Sequence, residues 1–79
     1  MEDTVHFQDM LKERGIKREW ADLAVLEPDR TEEHVDGTRH YIRRIEEYGN
    51  RWLRVVVNVS SEPHKRVTAF FDRRLRRAK

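Results

Sequence analysis

Proton transfer near neutral pH needs a side chain that titrates there, and histidine is the one whose ordinary pKa lies in that range. The chain has four: His6, His34, His40 and His64. His6 is the first candidate. Arg14 follows it by eight residues, and on a helix that spacing puts the two within about 80° of one another, so both can approach one ligand. A second pair is Arg54 with Thr68. Each falls in a strand-like segment whose alternation assigns it to the same sheet face, where a guanidinium fork and a hydroxyl can hold a phosphate. Arg39, Arg43 and Arg44, with Arg73, Arg74, Arg76 and Arg77 near the end of the chain, can supply sequence-independent contacts to an RNA backbone.

Each candidate has a plainer alternative. His6 can cap or pack at a helix start, Arg14 can satisfy the last carbonyls of a helix, and Thr68 can be an ordinary strand residue. Trp52, Tyr41 and Phe70 can stack on bases or belong to the core. His34, His40 and His64 have no partners at metal-ligand spacing, and Ser60 and Ser61 have no nucleophile motif around them. All five read as turn or strand residues, with His64 kept as a minor second proton-transfer candidate at the mouth of the sheet. No metal and no cofactor are expected.

The elements that must position these groups fit a chain of 79 residues, 37% apolar and 41% charged, which has room for one domain. Cysteine is absent, so packing alone must stabilise it. Charge is divided: residues 1–38 hold five Lys/Arg against eleven Asp/Glu, a net of −6, and residues 39–79 hold twelve against four, a net of +8. The basic half suits a phosphate backbone and the acidic half does not; a merely solvated basic face is the alternative. No apolar run is long enough for a membrane span, and the acidic start lacks the marks of a secretory signal, so a cytoplasmic protein without membrane contact is expected.

Asp3 or Thr4 can cap a helix over residues 5–13, with Phe7, Met10 and Leu11 on its apolar stripe and Gly15 ending it. A second helix is predicted over 17–26, burying Ile16, Trp20, Leu23 and Ala24 and stopped by Pro28. Lys17 at its start is unfavourable for the dipole. The period then changes to two, predicting strands near 31–35, 38–46, 51–59 and 65–71. Asp36-Gly37 reads as a two-residue hairpin; Tyr48-Gly49-Asn50 and residues 60–63 mark the later reversals. Leu53, Val55, Val57, Val59, Val67, Ala69 and Phe71 are assigned to the core. Trp52, Arg54, Val56, Asn58, Arg66, Thr68 and Phe70 are assigned to the open face. The expected fold is α+β: two N-terminal helices on one face of a four-stranded antiparallel meander, with a domain over residues 1–72 and a basic tail over 73–79.

The run from His6 to Ile16 with its Arg14-Gly15-Ile16 end, Trp20, Pro28, Arg54-Val55-Val56 and Val67-Thr68-Ala69-Phe70 resembles a group of small bacterial proteins of uncharacterised function. That group is similar to the RelE, ParE and BrnT toxin superfamily, whose fold barnase, EndoU and colicin ribonucleases share. The resemblance implies a RelE-like arrangement and a metal-independent endoribonuclease acting on messenger RNA, free or on the ribosome, and neutralised by a small cognate antitoxin. On that reading His6, Arg14, Arg54 and Thr68 are the catalytic set. The ParE-like members inhibit gyrase instead, so a non-catalytic RNA- or protein-binding module stays open as the alternative. Met10 departs from the group, which commonly has arginine there. Neither base preference nor oligomeric state is legible in these residues.

Overall fold

The computed structural model describes residues 1–77, without the side chains of Arg76 and Arg77, so the RNA-binding assignments of those two arginines lie outside the described residues. The chain runs β1 (Glu2–Asp3), α1 (Val5–Glu13), α2 (Arg18–Leu26), β2 (Arg30–Glu33), β3 (Thr38–Ile45), β4 (Arg51–Asn58) and β5 (Lys65–Phe71). Short 3-10 turns follow β3 (Glu46–Tyr48) and β5 (Arg73–Arg77). The fold is α+β, with the four expected strands antiparallel in chain order. The expected four-stranded sheet is corrected to a five-stranded mixed one, β1-β5-β4-β3-β2, because β1 adds in parallel to β5. Two acidic residues carry no periodicity to announce a strand. They pair with Lys65 and Arg66, and Asp3 accepts from Arg66 at 2.6 and 2.9 Å.

Thr4 is the cap of α1, its Oγ1 accepting from the Phe7 N–H at 3.1 Å. Lys17 stands just before α2 and makes no capping bond; its ammonium instead lies over the Trp20 ring, 5.5 Å from the centroid. Both helices cover one face of the sheet, where Phe7, Leu11, Ile16, Trp20, Ala21 and Ala24 meet Leu53, Val55, Val57 and Ala69. Leu23, expected in that core, is 38% exposed, because α2 turns Ala21 inward in its place. Met10 is buried on α1. None of the described helices is long and apolar enough to cross a membrane.

Two departures in register change which residues share a face. Between Val56 and Val57 a bulge lets Thr68 pair with Val56 and Arg66 with Val57, leaving Val67 as the extra residue. Arg66, expected on the open face with Arg54, is therefore turned to the helix face. There it lies 4.6 Å from the Phe7 ring centroid and is bound by Asp3 and Asp22.

The second departure is at the first hairpin. A two-residue Asp36-Gly37 loop would set Glu33 opposite His40. The loop has three residues, closed by His34 N–H to Thr38 O at 2.9 Å, with Gly37 at φ 87°, so Glu32 stands opposite His40 and Glu33 opposite Arg39. A slip of one residue exchanges the two faces of a strand. Gly37 holds this register: a Cβ there would come 2.2 Å from Ser60 Oγ, and positive φ is costly for any other residue. Gly37→Ala is expected to lower stability in urea unfolding by about 2 kcal/mol; an unchanged midpoint would show that the hairpin tolerates another loop.

Candidate functional site

The face away from the helices is not bare. Ile42, on β3, and Val56, on β4, are buried beneath a group of charged side chains centred on Arg54, itself only 5% exposed. Arg54 rises from β4 opposite Ile42, and alternation sends it away from Leu53 and Val55. Its Nη1 donates to Glu32 Oε1 at 2.8 Å and to His40 Nδ1 at 2.9 Å, while Nε and Nη2 donate to Asp72 Oδ2 at 3.0 and 2.8 Å. Asp72 is fixed in turn by Arg74, whose Nε and Nη2 reach it at 3.1 and 3.0 Å. Glu32 also accepts from Arg30 at 3.2 Å and faces His34 Nε2 at 3.1 Å. The His34 and His40 rings are stacked, centroids 3.8 Å apart and planes 14° from parallel.

Hydrogen-bond arithmetic assigns the protons. Arg54 is a donor only, so His40 Nδ1 accepts and the ring of neutral His40 carries its hydrogen on Nε2. Hydrogen bonds from Arg54 and then from His34 hold the Glu32 carboxyl down at about 2, so it is ionised and His34 donates to it through Nε2. That leaves His34 Nδ1 without a hydrogen-bond partner among the described residues. His40 is pushed below the ordinary histidine range, first by burial and then by the nearby His34 and Arg54. Asp72 is lowered to about 2, chiefly by the Arg74 side chain and then by Arg54, against the opposing effect of burial.

Of the residues proposed from sequence, the structure brings Arg54 and Thr68 to one face but gives Arg54 the partners Glu32, His40 and Asp72 and not Thr68. His6 does not join them. It is exposed on α1, whose first turn is tied to the far part of β5 by Thr4 N–H to Arg66 O at 3.1 Å, on the opposite face of the sheet. Arg14 just ends α1 and donates to Ala69 O at 2.8 Å along the edge of β5.

The expected basic patch on β3 is divided between faces. Arg39 bonds Glu33 and the Tyr41 hydroxyl, and Arg43 donates to the Glu27 carbonyl, both on the helix side. Tyr41 packs against the core there and is not on the open face. Arg44 is on the other face, 3.4 Å from Glu46. Arg73 has no carboxylate partner among the described residues, and Arg74 is paired with Asp72. His64 stands 4.0 Å from Glu62, apart from the other histidines.

His34 and His40, read from sequence as partnerless, are corrected here: with Glu32 they present three donor atoms within 4.8 Å of one another. The three-residue loop makes this possible, since Glu32 stands opposite His40 and His34, just past the end of β2, follows Glu32 by two residues and is held by its N–H to Thr38 O. The signal was Glu-x-His before the turn and a His after it, legible only with the correct loop length. Two imidazoles and a carboxylate also form a donor set that zinc accepts. A cation there would need the lone pairs that Arg54 already occupies on Glu32 and His40. Arg54 cannot lose its proton and is held from behind by Asp72, so a fixed positive charge competes with any metal. Three guanidiniums, of Arg30, Arg54 and Arg74, stand against the carboxylates of Glu32 and Asp72. The cluster therefore keeps a positive excess beside two imidazoles, an arrangement that suits an anion and a proton in transit.

Residues 4–71 match a family profile described as a domain of unknown function (DUF4258). The chain belongs to this family. No curated protein and no solved structure matches the chain. The DUF4258 span includes Glu32, His34, His40 and Arg54 and ends one residue before Asp72, so most of the cluster lies within the family domain and the carboxylate behind Arg54 just outside it.

Asp72 links this site to stability. Its folded pKa is depressed below the ordinary 3.8, so its contribution is fully present above that value and is lost as pH falls towards 2. The shift corresponds to about 2 kcal/mol. Asp72→Asn is expected to lower stability at pH 7 by roughly 2–4 kcal/mol, since it leaves Arg54 half-compensated, and to flatten the loss of stability in acid; a variant with the wild-type acid profile would show that Asp72 is not the anchor. His40 acts at higher pH. Its depressed folded value means that protonation opposes folding below the ordinary 6.5, so His40→Asn should remove part of the stability lost just below that pH, read by thermal unfolding across pH 5–7.

Proposed function

We propose that the chain is a toxin-like, metal-independent endoribonuclease with a RelE-like arrangement, acting at the Glu32–His34–His40–Arg54 cluster and not through His6. The observation that carries this reading is the ionised Glu32 bonded to His34 Nε2, which leaves His34 Nδ1 as an oriented base beside a surplus of guanidinium charge. Glu32 orients His34 as a carboxylate orients the histidine of a catalytic triad. His34 Nδ1 takes the 2′-hydroxyl proton, and the oxygen formed attacks the adjacent phosphorus. Arg30 and the Nε2–H of His40 meet the charge that collects on the phosphoryl oxygens. The proton passes to the departing 5′-oxygen, so the products end in a 2′,3′-cyclic phosphate and a 5′-hydroxyl. An acidic antitoxin covering this face, and action in the cytoplasm, complete the proposal.

A second reading, an RNA-binding module without cleavage, is favoured by buried Met10 at the place of an arginine common in the resembling group. Incubation with RNA in EDTA, with and without translating ribosomes, separates the two. Cleavage with cyclic phosphate ends is expected, falling about 10²-fold or more in His34→Gln and unaffected in His6→Ala. Full activity in His34→Gln would remove the assignment, and binding without cleavage under both conditions would favour the module.

A further inference from the structure

Most of the arginines whose side chains are described are paired with a carboxylate within the fold. Arg18, Arg30, Arg39, Arg44, Arg54, Arg66 and Arg74 each have a carboxylate within 4.0 Å, and Arg43, like Arg14, donates to a carbonyl. The arginines without a carboxylate partner among the described residues, other than Arg43, are Arg14, Arg51 and Arg73. All three line one open cleft of about 390 Å³, and the other lining residues are Phe70 and Phe71.

Four elements build it: the end of α1, the start of β4, the end of β5 and the turn after it. Arg14 is held there by its bond to Ala69 O, with its guanidinium carbon 6.0 Å from the Phe70 centroid. Arg51 is placed against Tyr48, 4.8 Å from that centroid. An adjoining hollow of about 80 Å³ adds Trp52 and also Asp72, whose carboxylate is already answered by Arg54 and Arg74.

Grouping like charges without counterions costs electrostatic energy that a bound polyanion recovers. Arginines interleaved with ring faces are the means by which proteins hold single-stranded nucleic acid, whose bases are free to stack; a duplex hides those faces. Phe70 is also the cross-strand partner of Arg54, so the cleft opens beside the cluster described above.

We infer that the Arg14–Arg51–Arg73 cleft binds successive phosphates of a single-stranded RNA, seats a base on Phe70, and leads the strand to the His34–His40 cluster. The choice of RNA rests on the proposed function; the cleft's preference for a single-stranded polyanion does not.

The test uses the full chain and a fluorescent 2′-O-methyl RNA of about twelve nucleotides, which cannot be cleaved by 2′-hydroxyl attack, followed by anisotropy over a range of salt. Arg51→Gln and Arg73→Gln are each expected to weaken binding several-fold and to reduce the slope of log affinity against log salt by about 0.7. Phe70→Leu should weaken binding with the slope unchanged, and a duplex of equal length should bind less tightly. Circular dichroism verifies folding of each variant.

Unchanged affinity in both arginine variants overturns the inference even if the protein cleaves RNA; normal loss in both variants sustains it even if the protein cleaves nothing. A polyglutamate peptide that binds as tightly as the RNA, and loses binding in the same variants, would overturn it in favour of an acidic protein partner.

Discussion

A guanidinium buried on the face of a five-stranded sheet is costly unless its donors are answered, and Arg54 is answered on every side: Glu32 and His40 from the hairpin, Asp72 from beyond β5. Removing one partner of such a group leaves charge stranded in a poor solvent for it, a larger penalty than the pair itself contributes. The bond therefore constrains distant parts of the chain together. Glu32 must face His40, which fixes the length of the first hairpin, and Asp72 must return over β4, which its N–H does by bonding Trp52 O at 2.8 Å. With these set, the two imidazoles have little choice but to stack.

The other face repeats the device at the opposite corner. Arg66 lies over Phe7 and is held by Asp3 and Asp22, so a buried arginine fastens β1 and α2 to β5 as Arg54 fastens β2 and the C-terminal turn to β4. A chain with 41% charged residues cannot fill two sheet faces with aliphatic side chains. Arginine serves because its stem covers apolar surface while its planar head takes several directed bonds. Both arginines draw on the acidic first half of the sequence, so much of the charge asymmetry between the halves is spent in holding them together.

The sequence carried the helices, the four long strands and most of the core because those depend on period, and period survives in a single chain. Thr4, Gly15 and Pro28 set the helix limits by local chemistry. What was illegible depended on single-residue register: the bulge that turns Arg66 over, and the third loop residue that brings Glu32 to His40. Alternation predicts which residues share a face only as far as the next irregularity. Asp36-Gly37 fits a two-residue turn and the end of a three-residue one, and the choice between them decides whether His34 and His40 belong to one site. β1 was beyond reach for another reason, since two residues joined by parallel pairing to the distant end of the chain leave no local trace.

The neutralisation of Arg54 also decides where attraction for a phosphate chain must come from. Field strength at a distance depends on uncompensated charge, and the central cluster retains only the surplus of three guanidiniums over two carboxylates. That surplus suits local stabilisation of a charge forming at one phosphorus. Capture of a polyanion needs cations without carboxylate partners, and among the described residues Arg14, Arg51 and Arg73 line one cleft in that state beside Phe70. On the proposed function, binding and chemistry are separated by the cross-strand pair of Arg54 and Phe70. The charged groups of the central cluster are thus locked to one another by ion pairs, whereas the cleft arginines are held by a carbonyl and by ring faces and keep their charge uncompensated by carboxylates among the described residues.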